Sequence, residues 1–194
     1  LEQQTAIRVK TGKAVPMVEL EIVDPDGNPV AHDGEAKGEV VARAPWLTQS
    51  YFKQPDKGEE LWEGGWLHTG DVASMEPDNT LTIKDRIKDV IKTGGEWLSS
   101  LDLENMISQH PAVAGAAVVG VPDEKWGERP YALITLKPGE SISEQDIKQH
   151  LQQFVDSGDI NKWAIPEQMR FVEDIPKTSV GKINKKLIRD QLKD

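Results

Sequence analysis

The sequence predicts an α+β protein with a small β-rich subdomain over residues 1–86 and a compact α+β domain over residues 87–194, the latter built on a three-stranded sheet with helices. Three observations support this prediction. Short alternating strands punctuated by turn residues fill the first part. In the second part, capping residues precede apolar residues at helical spacing, and apolar runs of strand length lie between those helices. The 194 residues are enough for one large or two small domains.

In the first part, Val18, Leu20 and Ile22 alternate with other residues and predict a half-buried strand. A second strand is predicted over Gly38–Arg43, after turns rich in Pro, Gly, Asp and Asn. A short strand pair is predicted around residues 81–91, where isoleucines alternate with charges. Between these strands lies an aromatic-rich stretch, which we expect to pack under a long loop rather than to form a stacking surface. Its rings are Trp46, Tyr51, Phe52, Trp62 and Trp66.

In the second part, helices are predicted from their caps and apolar stripes. Ser99 with Asp102, and Ser143 with Asp146, have the spacing of capping boxes. A last helix is predicted from about Ile183. The predicted apolar stripes are Leu103, Met106 and Ile107; Ile147, Leu151 and Phe154; and Ile183, Leu187, Ile188 and Leu192. The predicted strands cover residues 112–121, 131–136 and 168–172.

Composition narrows the functional classes. The formal net charge of -10 argues against general attraction to nucleic acid or anionic lipid. No apolar run is long enough to span a membrane, and no signal peptide is visible. The chain has no Cys, which excludes disulfides and thiolate metal sites, and a cytoplasmic location is expected. Leu1 is not an initiator Met, so we interpret the chain as a piece of a longer protein.

Two motifs in the middle of the chain have the residue types of a nucleotide site. GWLHTGD ends at Asp71, and a carboxylate held in a tight turn there can accept hydrogen bonds from both ribose hydroxyls. The alternative is a turn Asp that satisfies backbone N–H groups. KDRIKDVIKTGGEW covers residues 84–97 and interleaves four cations with acidic residues. Its Gly94-Gly95 pair permits a sharp bend or close approach to a ligand, although the segment alone is also compatible with a charged surface hairpin.

A third motif, PKTSVGKI, lies at residues 176–183. It lacks the first Gly of a P-loop, so we predict instead a flexible turn over residues 178–181 that presents Lys182 at its edge. The last residues carry a local charge balance of +3, a plausible phosphate-binding region in an acidic chain. Its cations are Lys182, Lys185, Lys186, Arg189 and Lys193, against Asp190 and Asp194. The alternative for Lys185 and Lys186 is that they are solvated lysines at a helix N-terminus.

In this order, the three motifs resemble those of the adenylate-forming family of acyl-CoA synthetases, luciferases and peptide-synthetase adenylation domains. With HPAV and WGERP, the sequence GGEWLSS is most similar to medium- or long-chain fatty-acid CoA ligases. The resemblance implies that Asp71 and Arg86 bind ribose and phosphate, that Lys88 is a domain hinge and that Lys182 is catalytic. It also implies that the pantetheine tunnel of CoA is formed by four residues, Gly94, Gly95, Glu96 and Trp97.

By the same resemblance, the reaction consumes ATP with Mg²⁺, a fatty acid or other carboxylic acid, and CoA, with acyl-AMP as the intermediate and no metal ligands in this chain. Domain alternation about Lys88 would exchange Lys182 for the Gly94-Gly95 loop between the two half-reactions. Trp97 stands where some relatives carry an Arg that contacts CoA phosphate, which leaves the cations for the CoA phosphates unassigned. Asn184 stands where relatives often carry a basic residue, which weakens the assignment of pyrophosphate binding to this segment but not the role of Lys182.

The family's phosphate loop and acid pocket lie upstream of Leu1, so the isolated chain is expected to be inactive. The competing hypothesis is a noncatalytic module that binds a nucleotide, CoA or a protein through its basic end. A start codon next to Leu1 would favour that module. A reading frame that continues upstream into a phosphate loop would favour the ligase.

Overall fold

The computed structural model describes residues 10–192. Leu1, Lys193 and Asp194, on which parts of the sequence analysis rely, lie outside the described residues. The chain divides into two compact units, residues 1–88 and residues 89–194. Within residues 10–192, no helix combines the length and the apolar character needed to cross a lipid bilayer.

The first unit is built on a four-stranded antiparallel sheet with the strand order β1-β2-β3-β4. The alternating pattern buries one face, and the core consists of Ile22, Val40, Ala73, Met75 and Leu81. A short helix and a 3₁₀ turn, Glu63–Gly65, connect β2 to β3. The elements are β1 Glu19–Val23, β2 Gly38–Arg43, α1 Pro55–Leu61, β3 Leu67–Met75 and β4 Leu81–Arg86.

Two predictions for the first unit are wrong. The predicted strand pair around residues 81–91 does not form, because β4 pairs with β3 and residues 87–89 form a turn. The aromatic stretch is not packed throughout: Trp46, Tyr51 and Phe52 are 59%, 52% and 85% exposed. Only Trp62 and Trp66 are half-buried. The burial of these aromatic residues cannot be predicted from the sequence alone, because it depends on which elements pack over the loop.

The second unit holds a five-stranded sheet with the order β6-β5-β8-β7, with β9 running parallel to β8. The predicted α+β class is confirmed, but the sheet has two strands more than predicted. The extra strands form a hairpin closed by Gly94 and Gly95, whose φ values are +59° and +85°. A two-residue turn with positive φ at both positions matches strand twist, so the hairpin forms and joins the sheet where Thr93 pairs with Gly127.

The elements of the second unit, in chain order, are β5 Ile91–Thr93, β6 Glu96–Leu98, α2 Ser100–Ser108, β7 Val113–Asp123, β8 Gly127–Leu136, α3 Glu144–Asp156, a 3₁₀ turn Lys162–Ala164, β9 Gln168–Phe171 and α4 Lys185–Gln191.

Helices α2 and α3 begin where their caps predict. The Ser99 hydroxyl accepts a hydrogen bond from the Asp102 N–H at 3.0 Å. Ser143 and Asp146 form a reciprocal capping box, and hydrogen bonds from the backbone N–H and hydroxyl of Ser143 hold the pKa of Asp146 below its usual value. The predicted stripes of both helices pack into one core, where Leu103, Ile107, Ile147 and Leu151 are fully buried.

Helix α4 begins at Lys185 rather than near Ile183, because the Asn184 side chain accepts the Leu187 N–H at 3.1 Å and acts as the N-cap. Its predicted apolar stripe is only partly correct. Ile188 is buried and Leu192 packs beside it, whereas Ile183 and Leu187 are exposed.

Candidate functional site

Asp71 lies in a β-bulge of strand β3. Glu39 faces Val72 and Val41 faces His68, so the β3 segment between these pairs is longer than the β2 segment opposite it. Gly70 absorbs the distortion with a φ of +71°. The predicted tight turn at Asp71 is therefore wrong, since the residue belongs to a continuous but bulged strand. A bulge changes the direction of the side chains that follow it, which no local motif specifies.

Asp71 and Arg86 are cross-strand partners in the β3–β4 ladder. The Arg86 Nε lies 3.2 Å from the Asp71 Oδ1, and the two side chains are 61% and 28% exposed. A solvent-accessible ion pair of this kind contributes little to stability. Its carboxylate and guanidinium therefore stay accessible to a ligand that carries hydroxyl and phosphate groups. The structure thus brings together the two residues that the sequence analysis assigned to one nucleotide.

A cavity of about 730 Å³ opens beside Arg86 within the first unit. This volume is in the range of small-molecule sites. We call it the first-unit cavity, and it includes Arg86 and the exposed Lys88 at its wall. Its lining residues are Glu39, Tyr51, Gln54, Lys57, Glu60, Leu61, His68, Thr69, Gly70, Arg86, Ile87 and Lys88.

The turn before α4 presents Lys182 to solvent, in agreement with the prediction. The Thr178 N–H donates to the Lys182 carbonyl at 2.7 Å, and the Lys182 N–H donates to the Thr178 hydroxyl at 3.2 Å. Gly181 closes the turn with a φ of +81°. These bonds fix the backbone of Lys182 and leave its side chain exposed. The catalytic role of Lys182 stays a prediction.

Two of the cations that follow Lys182, Lys185 and Arg189, are paired with carboxylates. The alternative that Lys185 is a solvated lysine is wrong. Its Nζ lies 2.7 Å from the Glu104 Oε1, and the side chains of Lys185 and Glu104 are 11% and 8% exposed. Arg189 pairs with Asp89 at 3.0 Å. Of the predicted basic cluster, Lys182 and Lys186 are the exposed members within the described residues. The buried pairing could not be found from sequence, because it joins residues of two distant helices.

The Gly94-Gly95 hairpin contacts Trp126. The Gly94 N–H donates to the Trp126 carbonyl at 2.9 Å, and a Cβ at Gly94 would lie 3.2 Å from the Trp126 ring. A Cβ at Gly95 would meet no atom within 4 Å, so one side of the turn is open. Next in the chain, Glu96 accepts a hydrogen bond from Asn161 at 3.3 Å, and Trp97 is half-buried.

A second cavity, of about 750 Å³, lies within the second unit, and Trp126 is part of its wall. In this second-unit cavity Arg129 is 12% exposed, and its Nη2 donates to Glu167 at 2.8 Å. Its buried Nε has no hydrogen-bond partner within residues 10–192. The lining also includes Trp163, Lys148 and Lys162. The WGERP motif alone does not predict this cavity, because its wall joins α3, β8 and the segment before β9.

A resident metal site is not supplied by the described residues. Residues 10–192 contain no group of three or more His, Asp or Glu side chains that could hold a metal ion. Mg²⁺ is commonly bound through substrate phosphates with one or two carboxylates. The residues described do not form a protein cage for Mg²⁺, and we assign none of them to it.

Residues 102–182 match the family model of the AMP-binding enzyme C-terminal domain. Over its whole length, the chain is 45% identical to the 3-methylmercaptopropionyl-CoA ligase of Ruegeria lacuscaerulensis and 40% identical to a long-chain-fatty-acid–CoA ligase of Thermus thermophilus, and it covers 35% of each. The crystal structure of ATP-bound MatB from Rhodopseudomonas palustris matches with a TM-score of 0.83 at 27% identity, over 96% of this chain and 36% of MatB. Apo MatB matches with a TM-score of 0.61.

The chain therefore spans about a third of the length of the curated relatives it matches. The matches run along both of its units, and the solved structures show the same fold. This chain belongs to the adenylate-forming acyl-CoA synthetase family, and its residues 102–182 are the C-terminal AMP-binding-enzyme domain of that family.

Proposed function

We propose that this chain is the C-terminal part of an ATP-dependent acyl-CoA ligase. In the first half-reaction, a carboxylate attacks the α-phosphorus of ATP, which gives acyl-AMP and pyrophosphate. In the second, the CoA thiol attacks the acyl carbon and releases AMP. The observation that carries the proposal is the Asp71–Arg86 pair, held at 3.2 Å across two strands, with Arg86 in the wall of a cavity of nucleotide size.

In this proposal Asp71 accepts hydrogen bonds from the ribose hydroxyls, because an ionised carboxylate is an acceptor with two oxygens. Arg86 contributes a guanidinium that can contact the ribose and the phosphate. The opposite charges of Asp71 and Arg86 partly cancel each other. The pair therefore does not repel an anionic nucleotide, although the chain is acidic overall. The exposed side chain of Lys88 lies in the same cavity wall.

Lys182 is proposed to stabilise the negative charge that develops on the α-phosphate and the carboxylate oxygen during adenylation. Its backbone is fixed by the turn and its ammonium is free to enter an active site. Rotation at Lys88 would then withdraw Lys182 and bring in the Gly94-Gly95 hairpin.

The acid substrate is proposed to be a fatty acid of medium or long chain length. The long-chain-fatty-acid–CoA ligase of Thermus thermophilus supports this class, whereas the relative with 45% identity is named for a short sulfur-containing acid. Comparing kcat/KM across acids of increasing chain length with the full-length protein tests the proposal. Highest activity on 3-methylmercaptopropionate would contradict it. The cytoplasmic location stays a prediction.

The second-unit cavity is proposed to hold the nucleotide end of CoA. Trp126 and Trp163 offer ring faces for an adenine, and Arg129, Lys148 and Lys162 offer positive charge for phosphates. Because the Gly94 N–H donates to the Trp126 carbonyl, the hairpin proposed to line the pantetheine path adjoins this cavity. One continuous surface of the second unit would therefore contact both ends of CoA.

Replacing Lys162 by alanine in the full-length ligase is expected to raise the KM for CoA by about tenfold, the loss of one charge-assisted contact to phosphate. Lys162 is exposed, so folding should be unaffected. Dephospho-CoA, which lacks the 3′-phosphate, shows which phosphate Lys162 contacts. If it contacts the 3′-phosphate, Lys162→Ala should change the KM for dephospho-CoA less than the KM for CoA. Lys137→Ala is the matched control, since this lysine is exposed outside the cavity. Equal KM values for CoA in all three proteins would contradict the assignment.

The purified chain of 194 residues is expected to show no ATP–pyrophosphate exchange with any fatty acid, because the proposal puts the acid pocket and the phosphate loop in the rest of the ligase. The full-length protein should exchange readily under the same conditions. Exchange by the isolated chain would refute the proposal that adenylation requires the rest of the ligase. Absence of exchange in both proteins, with nucleotide or CoA binding retained, would favour the noncatalytic binding module instead.

A further inference from the structure

We infer that Glu39 is a positioning residue for nucleotide recognition: its carboxylate holds the β3 bulge in the shape that aims Asp71 at the ribose. The inference rests on the proposed role of Asp71 and extends it to a residue on the neighbouring strand. Glu39 lies in β2, and its side chain is only 15% exposed. Both of its carboxylate oxygens are used by the bulge.

The two oxygens of Glu39 bind successive parts of the bulged segment. Oε1 accepts the Gly70 N–H at 3.0 Å, and Oε2 lies 2.8 Å from the His68 Nδ1. The second ring nitrogen of His68 lies 3.2 Å from the Glu63 carbonyl oxygen, which ties the start of β3 to the preceding turn. The Glu39 carboxylate therefore binds both His68, which precedes the bulge, and Gly70 within it.

A bulge needs such a partner because it removes backbone groups from the strand ladder. The Gly70 N–H would be an unsatisfied donor without Glu39, and the Asp71 N–H is satisfied by the Thr69 hydroxyl at 3.1 Å. That hydroxyl in turn donates to the Val40 carbonyl at 2.8 Å. A side-chain carboxylate and a hydroxyl thus replace the ladder bonds that β2 would otherwise supply.

The same bulge connects Asp71 with the segment that follows Arg86. The Gly70 carbonyl accepts the Ile87 N–H at 2.9 Å, directly after the Asp71–Arg86 pair in the ladder. A shift of the bulge would therefore move the ribose carboxylate and its arginine partner together. Because strand side chains alternate between faces, a change of register by one residue would turn Asp71 to the opposite face of the sheet.

Charge distinguishes this role from direct binding of phosphate. Glu39 lines the first-unit cavity, and a carboxylate there repels an anionic ligand unless it is otherwise engaged. Both of its oxygens are already within hydrogen-bonding distance of the bulge. Glu39 is therefore suited to hold the protein backbone while Asp71, whose side chain accepts no hydrogen bond from the bulge backbone in residues 10–192, faces the hydroxyls.

The test is discrimination between ATP and its 2′-deoxy and 3′-deoxy analogues in the full-length ligase. The wild-type enzyme should prefer ATP by about tenfold or more in kcat/KM for adenylation, because loss of a hydroxyl leaves Asp71 unpaired. Glu39→Ala should lower kcat/KM for ATP and reduce that preference to less than about threefold. Glu39→Gln should restore part of the preference, since its amide oxygen can still accept the Gly70 N–H.

Glu21→Ala is the matched control. Glu21 lies on the adjacent strand β1 and contacts His32 at 2.7 Å, so it is also a glutamate paired with a histidine, but away from the bulge. It should keep the full preference for ATP over both analogues. Urea unfolding of all variants checks that the sheet is intact, and a Glu39→Ala enzyme that unfolds early is replaced by the Gln variant for the comparison.

A double-mutant cycle separates this inference from the proposed function. If Glu39 acts through Asp71, the kcat/KM for ATP of the Glu39→Ala/Asp71→Ala enzyme should be no lower than that of Asp71→Ala alone. Additive losses, or unchanged discrimination in Glu39→Ala, would overturn the inference while Asp71 keeps its role. If the wild-type enzyme does not discriminate the analogues and Asp71→Ala has no effect, the proposed ribose site itself fails.

Discussion

Replacing Lys182 by alanine in the full-length ligase is expected to slow acyl-AMP formation by about 100- to 1,000-fold, the usual effect of removing one group that stabilises transition-state charge. Reaction of supplied acyl-AMP with CoA should continue at nearly the wild-type rate. In the proposed mechanism the ammonium group is needed where charge gathers on the α-phosphate, whereas thioester formation would follow after Lys182 is withdrawn. The turn that carries Lys182 leaves its side chain exposed, as the proposal requires.

Single-turnover assays of the two half-reactions measure this effect separately. Lys186→Ala is the control, because Lys186 is also exposed and lies only four residues further, in the first turn of α4. It should retain both half-reactions within about threefold if catalysis depends on one positioned ammonium rather than on general positive charge. Equal losses in both half-reactions for Lys182→Ala would remove its assignment to adenylation.

Replacing Lys185 by methionine is expected to lower the free energy of unfolding of the second unit by about 3–5 kcal/mol. The substitution keeps the apolar stem but removes the charge that compensates the buried carboxylate of Glu104 at 2.7 Å. Glu104 also accepts the Val118 N–H at 2.8 Å, and the Lys185 Nζ donates to the Ser100 hydroxyl at 2.7 Å. A buried carboxylate that has lost its ammonium partner would destabilise the contact between α4 and the rest of the unit.

Urea denaturation of the chain, followed by tryptophan fluorescence, measures this loss. Asp174→Asn is the control, because its ion pair with Lys177 at 3.2 Å is exposed and such pairs contribute only about 0–1 kcal/mol. The double variant Lys185→Met with Glu104→Gln should recover most of the stability, since it removes both charges and keeps an acceptor for Val118. A loss of unfolding free energy below about 1 kcal/mol for Lys185→Met alone would show that the Lys185 charge is not needed to compensate the buried carboxylate of Glu104.

The family was predicted from the sequence, and the comparisons confirm it, because three motifs in a fixed order carry the resemblance. Their placement was less predictable. Asp71 was expected in a tight turn and lies in a bulge, since the residues that create the bulge, Glu39 and Thr69, act across strands or through hydroxyl bonds. Lys185 was expected at the surface, but its side chain is only 11% exposed and pairs with Glu104. This pairing was not predictable, because Glu104 lies on a helix far away in the chain.

Features that depend on neighbours in the chain could be predicted from the sequence alone. They are the caps and stripes of α2 and α3, the strands β1 and β2, and the turn that exposes Lys182. The pairing of strands, the bulge at Gly70, the two cavities and the Lys185–Glu104 ion pair arise from contacts between distant parts of the chain. Caps and periodicity are local, within one turn or one strand, whereas these other features depend on which distant backbone and side-chain groups meet and on whether each buried polar group finds a partner.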